Sequence, residues 1–182
     1  MMKITLFMLL SSCIVLSGCQ VMSATECEVA NWADLGRQDG LKGYTSRIDS
    51  RVKSCNKKQI AVNATDRQQY QQAYQSAILQ YCQPKNIYQL SIIGQGSISA
   101  CPEPNRSRVR AIHDTASRYY NNKQDIESKR NNIRDIDRKI DKVTDKDERY
   151  KLLEQQRQLS KDLNHLLEDQ IQLERELELV KP

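Results

Sequence analysis

"CEVANWADLGRQDGLKGYTSRI", residues 27–48, and "TDRQQYQQAYQSAILQYC", residues 65–82, decide the fold. In the first, Trp32, Gly36 and Gly40 lie four apart, on one face of a helix. In the second, Tyr70, Ala73, Tyr74, Ala77, Ile78 and Tyr81 recur at helical spacing, with Thr65 or Asp66 placed to cap the start. Glycine inside a helix costs roughly 1 kcal/mol against alanine, so a packing reason is expected. Small residues four apart on both segments let two helix backbones approach closely, with Trp32 and the tyrosines packed around them. Asp39-Gly40 reads as a helix end or turn rather than as a catalytic aspartate.

Further on, "NIYQLSIIGQGSISACP" covers residues 86–102. Tyr88, Leu90 and Ile92 alternate, Gly94-Gln95-Gly96 makes a turn, and Ile98 and Ala100 alternate after it, which predicts a short β-hairpin. Cys82 precedes the first strand and Cys101 ends the second. Folding the hairpin would pair Cys82 with Cys101 and leave Cys27 with Cys55, one of three connectivities that four cysteines allow. A domain of this size buries too little surface to be comfortably stable alone, and two bridges of roughly 3 kcal/mol each would compensate.

The cysteine count depends on the N-terminus. Met1-Met2-Lys3 is followed by an apolar run, Ile4 to Leu16, and by Ser17-Gly18. That is the build of a secretory signal, too short to span a bilayer, which takes roughly 20 apolar residues. Leu16-Ser17-Gly18-Cys19 resembles a bacterial lipobox, which implies cleavage after residue 18 and acylation of Cys19. Two or more acyl chains anchor stably. By the sorting habit of Gram-negative lipoproteins, Gln20 after the cysteine points to the outer membrane. With Cys13 removed and Cys19 lipidated, Cys27, Cys55, Cys82 and Cys101 remain, and an oxidising periplasm favours disulfides. A zinc site is disfavoured. The chain has no C-x-x-C pair, and its two histidines, His113 and His165, lie downstream.

Glycine and proline then divide the mature chain. Every glycine lies at or before Gly96, and no Gly or Pro occurs between Pro104 and Pro182. The expected organisation is a signal peptide over 1–18, a lipidated tether over 19–26, a small disulfide-bonded domain over 27–104 and a coiled-coil region over 105–182. Residues 19–104 hold 9 Lys/Arg and 7 Asp/Glu, and residues 105–182 hold 18 and 16. A balance this mild gives no reason to expect nucleic acid.

The residues at Trp32, Gly36, Asp39 and Gly40, followed by Tyr81-Cys82, Asn86-x-Tyr88, Gly94 and Cys101-Pro102, resemble an uncharacterised bacterial lipoprotein family, domain of unknown function 2799. The resemblance covers roughly residues 27 to 102. Ala73 and Ala77 stand where the family tends to have glycines, Ile87 and Ser91 where glycine is usual, and Ser97 where an aromatic is. The family implies a fold and an address and no established activity.

The C-terminal region carries heptads. Ile112, Tyr119, Ile126, Ile133 and Ile140 recur every seven residues with Ile136 and Val143 beside them; Leu152, Leu159, Leu166, Leu173 and Val180 do the same with Leu163 and Leu177. Repeats sustained this long predict a coiled coil. Acid-before-base pairs four apart, such as Asp125→Lys129 and Asp135→Lys139, would add a few tenths of a kcal/mol each. The twelve residues from Ile140 to Leu152 break the frame. Basic residues open the region (Arg106, Arg108, Arg110) and acids close it (Glu174, Glu176, Glu178), each against the helix dipole. An antiparallel helical hairpin turning around "VTDKDER" resolves both conflicts, the alternative being one helix of about 75 residues. Gln156 and Gln170 on the second seam are candidates for fixing register.

The fold expected is therefore mainly α: a small disulfide-stapled α+β domain, two short helices plus a β-hairpin, followed by a long coiled-coil arm. The function expected is that of a lipid-anchored envelope protein, structural or adaptor in kind. It would be held to the membrane by its N-terminal lipid and use the coiled coil for self-association or for an envelope partner. No metal, cofactor or catalytic set is expected. The competing readings are a cell-wall hydrolase resting on Asp39, or a small-ligand module between the two small-residue helices.

Overall fold

Helix α1, Ala24–Glu28, opens the part of the chain covered by a computed structural model, which describes residues 22–182. The expected signal segment and the expected lipidation site, Cys19, lie outside the described residues. Among those residues the chain forms helices and no strand: α1, α2 (Trp32–Leu41), α3 (Ile48–Asn56), α4 (Ala64–Tyr81), α5 (Pro84–Ser91), α6 (Asn105–Ile140) and α7 (Lys146–Val180). The starts are set by side chains that satisfy orphan amide groups. Ser23 with Glu26 and Asn63 with Asp66 form reciprocal capping boxes, while Asn31 and Asp145 accept from the amides of Asp34 and Glu148. The cap of α4 is thus Asn63. Asp66, expected as a cap, returns a bond from the third helical position, and Thr65 already lies inside the first turn.

α4 is the spine of the small domain. Its first half packs into a core of Met22, Cys27, Trp32, Ile48, Val52, Cys55 and Tyr70. Its last turn packs into a second core of Ile78, Tyr81, Cys82, Ile87, Cys101 and Val109, and Tyr74 touches both. Each core holds one disulfide, Cys27–Cys55 in the first and Cys82–Cys101 in the second. α2 lies along α4 at a separation only glycine permits. A Cβ on Gly36 would sit 2.2 Å from the Tyr70 carbonyl oxygen, and one on Gly40 would sit 2.7 Å from the Ala77 Cβ. Asp39 and Gly40 fall in the last turn of α2, which ends at Leu41.

The predicted β-hairpin is not formed. Residues 84–91 are helical instead, because Pro84 supplies the fixed φ of a first helical position and needs no amide donor there. Ile87 and Ser91, four apart, are fully buried. The alternation Tyr88, Leu90, Ile92 is ambiguous in sequence, since Tyr88 and Ile92 are also one helical turn apart. α5 ends at a turn through Gly94, at φ 73°, where the Gln95 amide donates to the Leu90 carbonyl. The segment after Gly94 is held by side chains in place of a ladder: the Tyr81 hydroxyl donates to the Ser97 carbonyl at 3.0 Å and accepts from its amide at 3.1 Å. The disulfide predicted from the hairpin forms nonetheless, because α5 and this pinned segment bring residues 82 and 101 together.

The C-terminal region is an antiparallel helical hairpin. α6 begins at Asn105, and its first turns enter the second core through Val109 and Ile112. α6 carries ten Lys/Arg and five Asp/Glu and α7 six and nine, so the pairing sets a basic helix beside an acidic one. Contacts across it fix the register: Arg118 with Glu176 at 3.0 Å, Lys129 with Asp162 at 2.8 Å, and the Arg149 guanidinium donating to the Ile140 carbonyl at 2.9 Å. Lys129 reaches across to α7 rather than back to Asp125, and Asp135 pairs with Arg138 rather than Lys139. The expected four-apart pairs at these two places lose to closer partners.

Candidate functional site

Of the buried polar residues, Asp39 centres a cluster in the small domain. Asp39 is 3% exposed and accepts from three donors. Its carboxylate takes the Arg51 Nε at 3.1 Å and Nη2 at 2.9 Å, and the Tyr70 hydroxyl at 2.7 Å. The Tyr70 oxygen in turn accepts the Arg47 amide at 2.9 Å. Three helices therefore meet at one carboxylate: α2 supplies the acid, α3 the guanidinium and α4 the phenol. A bidentate Arg–carboxylate pair in a desolvated site is the strongest form of this interaction, and removing one partner of such a pair costs several kcal/mol because the other charge stays buried.

Burial, and then the hydrogen bond to Asp39, push the Tyr70 phenol up to about 12. Burial and the Asp39 charge raise Tyr74 as well, whose ring stacks on Tyr70 at 6.1 Å and whose hydroxyl donates to the Tyr44 carbonyl at 2.9 Å. Chemically this is a clasp. The Asp39 oxygens are occupied by Arg51 and Tyr70, and the phenol is held protonated, so neither group is presented to a substrate.

The other singled-out residues also hold backbone together. Tyr81 lies between the Gly43 turn, at φ 68°, and the segment at Ser97. A Cβ on Gly43 would meet the Tyr81 ring at 2.1 Å. Asn86 donates to the Tyr81 carbonyl at 2.7 Å and so joins the end of α4 to α5. Gly94 accommodates the Tyr120 ring of α6, which a Cβ would meet at 2.3 Å. Tyr88 is half-buried on α5, and Pro102 is exposed just before α6. Trp32 is buried in the first core. The motif thus divides between the cores: Trp32, Gly36 and Asp39 at the first, Gly40 between the two against Tyr74, Ala77 and Ile78, and Tyr81, Asn86 and Gly94 at the second.

Sequence reasoning did not find the partners of Asp39. Arg51 is twelve residues and Tyr70 thirty-one residues away, and the one available signal was an acid inside a helix face otherwise made of small residues. It also did not find Asn122, buried at 8% exposure in the arm, which donates to the Leu166 carbonyl and to the Gln170 Oε1, both at 2.9 Å. Gln170 does take part in register, through Asn122, and Gln156 does so through Asp137. His113 sits between the Asp114 carboxylate and the Gly96 carbonyl, and His165 is exposed. Among the described residues no group of three or more His, Cys, Asp or Glu is placed to hold a metal ion, and no helix is long and apolar enough to cross a membrane.

No curated protein and no solved structure matches the chain. A family model described as Protein of unknown function (DUF2799) matches residues 31–118, from the cap of α2 to the fourth turn of α6. That span contains the Asp39 clasp, the Tyr81 contacts and the Cys82–Cys101 bridge; it also holds Gly94, whose partner Tyr120 lies two residues beyond its end. Over this segment, just under half of the chain, the protein is similar to the DUF2799 family.

Proposed function

We propose that this protein is a lipid-anchored cell-envelope protein of a structural or adaptor kind, acylated at Cys19 and held at the outer membrane facing the periplasm. Its arm serves self-association or the binding of another envelope component. The observation that carries this reading is the incomplete burial of the arm. Two helices cannot enclose a seam on all sides, and Leu152, Leu159, Leu163 and Leu166 are only half-buried, while Leu153 is 43% and Ile171 53% exposed. Completion by a further helix is the usual way such a stripe is covered. The two disulfides fit an oxidising compartment.

The layout of the small domain agrees. α4, at 18 residues roughly 27 Å long, separates the first core, where the chain enters at Met22, from the second core, where the arm leaves. Met22, where the described chain begins, and the start of the arm at residue 105 then sit at opposite ends. A photoreactive residue at Leu159 tests the adaptor role in cells. Crosslinks to another envelope protein or to a second copy, lost when Leu163→Asp and Leu166→Asp are added to the probe-bearing chain, are expected. Crosslinks confined to the Ile126–Ile140 stretch of the same chain would refute the partner reading. Acyl labelling lost in Cys19→Ala checks the anchor separately.

A further inference from the structure

The small domain is nearly balanced in charge, but its charges are not evenly placed. Of the nine Lys/Arg between residues 19 and 104, seven fall between residues 42 and 67, with only Asp49 and Asp66 among them. Two of the seven are already engaged, Arg51 by Asp39 and Arg47 over the Tyr44 ring at 4.0 Å. Asp66 is engaged too, accepting the Asn63 amide at 3.1 Å. Among the described residues Lys53, Lys57, Lys58 and Arg67 are in no ion pair. Lys53, Lys57 and Arg67, with Asp49, Val52 and Asn56, line an open groove of about 490 Å³ between α3 and the start of α4.

The same helix holds the start of the described chain. The Ser54 hydroxyl donates to the Met22 carbonyl at 3.0 Å, and the Met22 sulfur lies 3.9 Å from the Cys55 Sγ. Met22 is itself buried, at 3% exposure. It lies three positions after Cys19, a reach of roughly 11 Å at full extension. That is close to one Debye length at physiological salt, about 8 Å, within which surface charges feel one another. An acylated Cys19 therefore keeps α3 beside the headgroups.

We propose that Lys53 on α3, Lys57 and Lys58 just past its end, and Arg67 in the first turn of α4 form a docking surface for the anionic headgroups of the bilayer. The inference rests on the lipid-anchor reading above and adds a second attachment to it. A lipid chain plus a basic patch is the two-signal arrangement that makes peripheral anchoring stable. It also sets an orientation. With α3 and the first turn of α4 on the membrane, α4 carries the second core and the arm away from it.

The test uses the protein as purified from membranes of the expressing cell, in vesicles of phosphatidylcholine, with and without phosphatidylglycerol. Flotation reports attachment, and a water-soluble amine reagent, read by mass spectrometry, reports the exposure of each lysine, with Lys146 on the arm as reference. The chain is expected to float with both vesicles. Lys53, Lys57 and Lys58 are expected to lose reactivity about fivefold relative to Lys146 on the anionic vesicles alone, with recovery at high salt. A Lys53→Gln, Lys57→Gln, Lys58→Gln variant keeps its flotation on neutral vesicles and its Trp32 fluorescence, and makes Arg67 the groove's remaining cation, opposite Asp49. Flotation on both vesicles with unchanged lysine reactivity overturns the docking surface and leaves the anchor standing. Flotation on anionic vesicles alone supports the docking surface and overturns the anchor. Flotation on neither overturns both.

Discussion

Gly36→Ala replaces one hydrogen with a methyl group, and the contact it makes decides its effect. The new Cβ would lie 2.2 Å from the Tyr70 carbonyl oxygen and 2.9 Å from the Tyr70 carbonyl carbon. Both are backbone atoms of α4 and cannot rotate away. α2 must retreat by about 1 Å to restore ordinary contact, since well-packed interiors hold no such slack. The same retreat stretches the Tyr70–Asp39 hydrogen bond, now 2.7 Å, past the distance at which it counts as one. Overpacking costs about 1–3 kcal/mol. A lost bond to a charged group costs about 1.5–3 kcal/mol. Alanine returns up to about 1 kcal/mol of helix propensity. The net expectation is a loss of about 3 kcal/mol, or a melting point lower by roughly 6–12 °C for a chain of this size. Trp32, the only tryptophan and 4% exposed in the first core, makes the assay direct. Urea unfolding with the disulfides intact, followed by Trp32 fluorescence, measures the change. A loss below about 0.5 kcal/mol would refute the close-approach argument, because the surface range of mutational effects would then cover it.

Tyr70 makes stability depend on alkaline pH. Its phenol is neutral in the folded chain up to about 12 and ionises near 10 when unfolded, so its contribution is complete below pH 10 and is lost as pH climbs toward 12. The loss is roughly 2–3 kcal/mol, and Tyr70→Phe should flatten the curve over that window. Changing Cys82 and Cys101 together to serine opens a loop of sequence separation 19 and should cost about 3 kcal/mol, visible as a lower urea midpoint. A variant as stable as the parent would mean that the unfolded chain is already constrained there. Asn122→Ala removes both side-chain bonds to α7 and should speed amide exchange around Leu166 about tenfold, with little change at Trp32. Unchanged exchange would assign register to the leucines alone.

Much of this molecule was legible locally. The four-residue spacing of Trp32, Gly36 and Gly40 and the Tyr/Ala stripe of residues 70–81 both describe one helix face, and the face is what packs. The two five-heptad runs and the frame break between them gave the arm and its turn, because a seam that loses phase cannot continue. The hairpin at residues 86–101 was misread for a reason of the same kind. Over five residues a period of two and a helical turn share positions, and Pro84 as a first helical residue was the signal that separated them.

The clasp was not legible, and neither was the division into two cores. Asp39 has its meaning from Arg51 and Tyr70, which lie on other helices at separations no local pattern spans, and a buried acid looks in sequence like an exposed one. Net charge hid the basic patch in the same way, since a near-zero sum carries no information about where charges sit. The sequence by itself determined the elements that a single helix can encode: periodicity, small-residue faces, heptads and the break between them. Only the tertiary structure decided which polar groups meet, because burial and pairing are properties of surfaces brought together, and those surfaces do not exist until the helices pack.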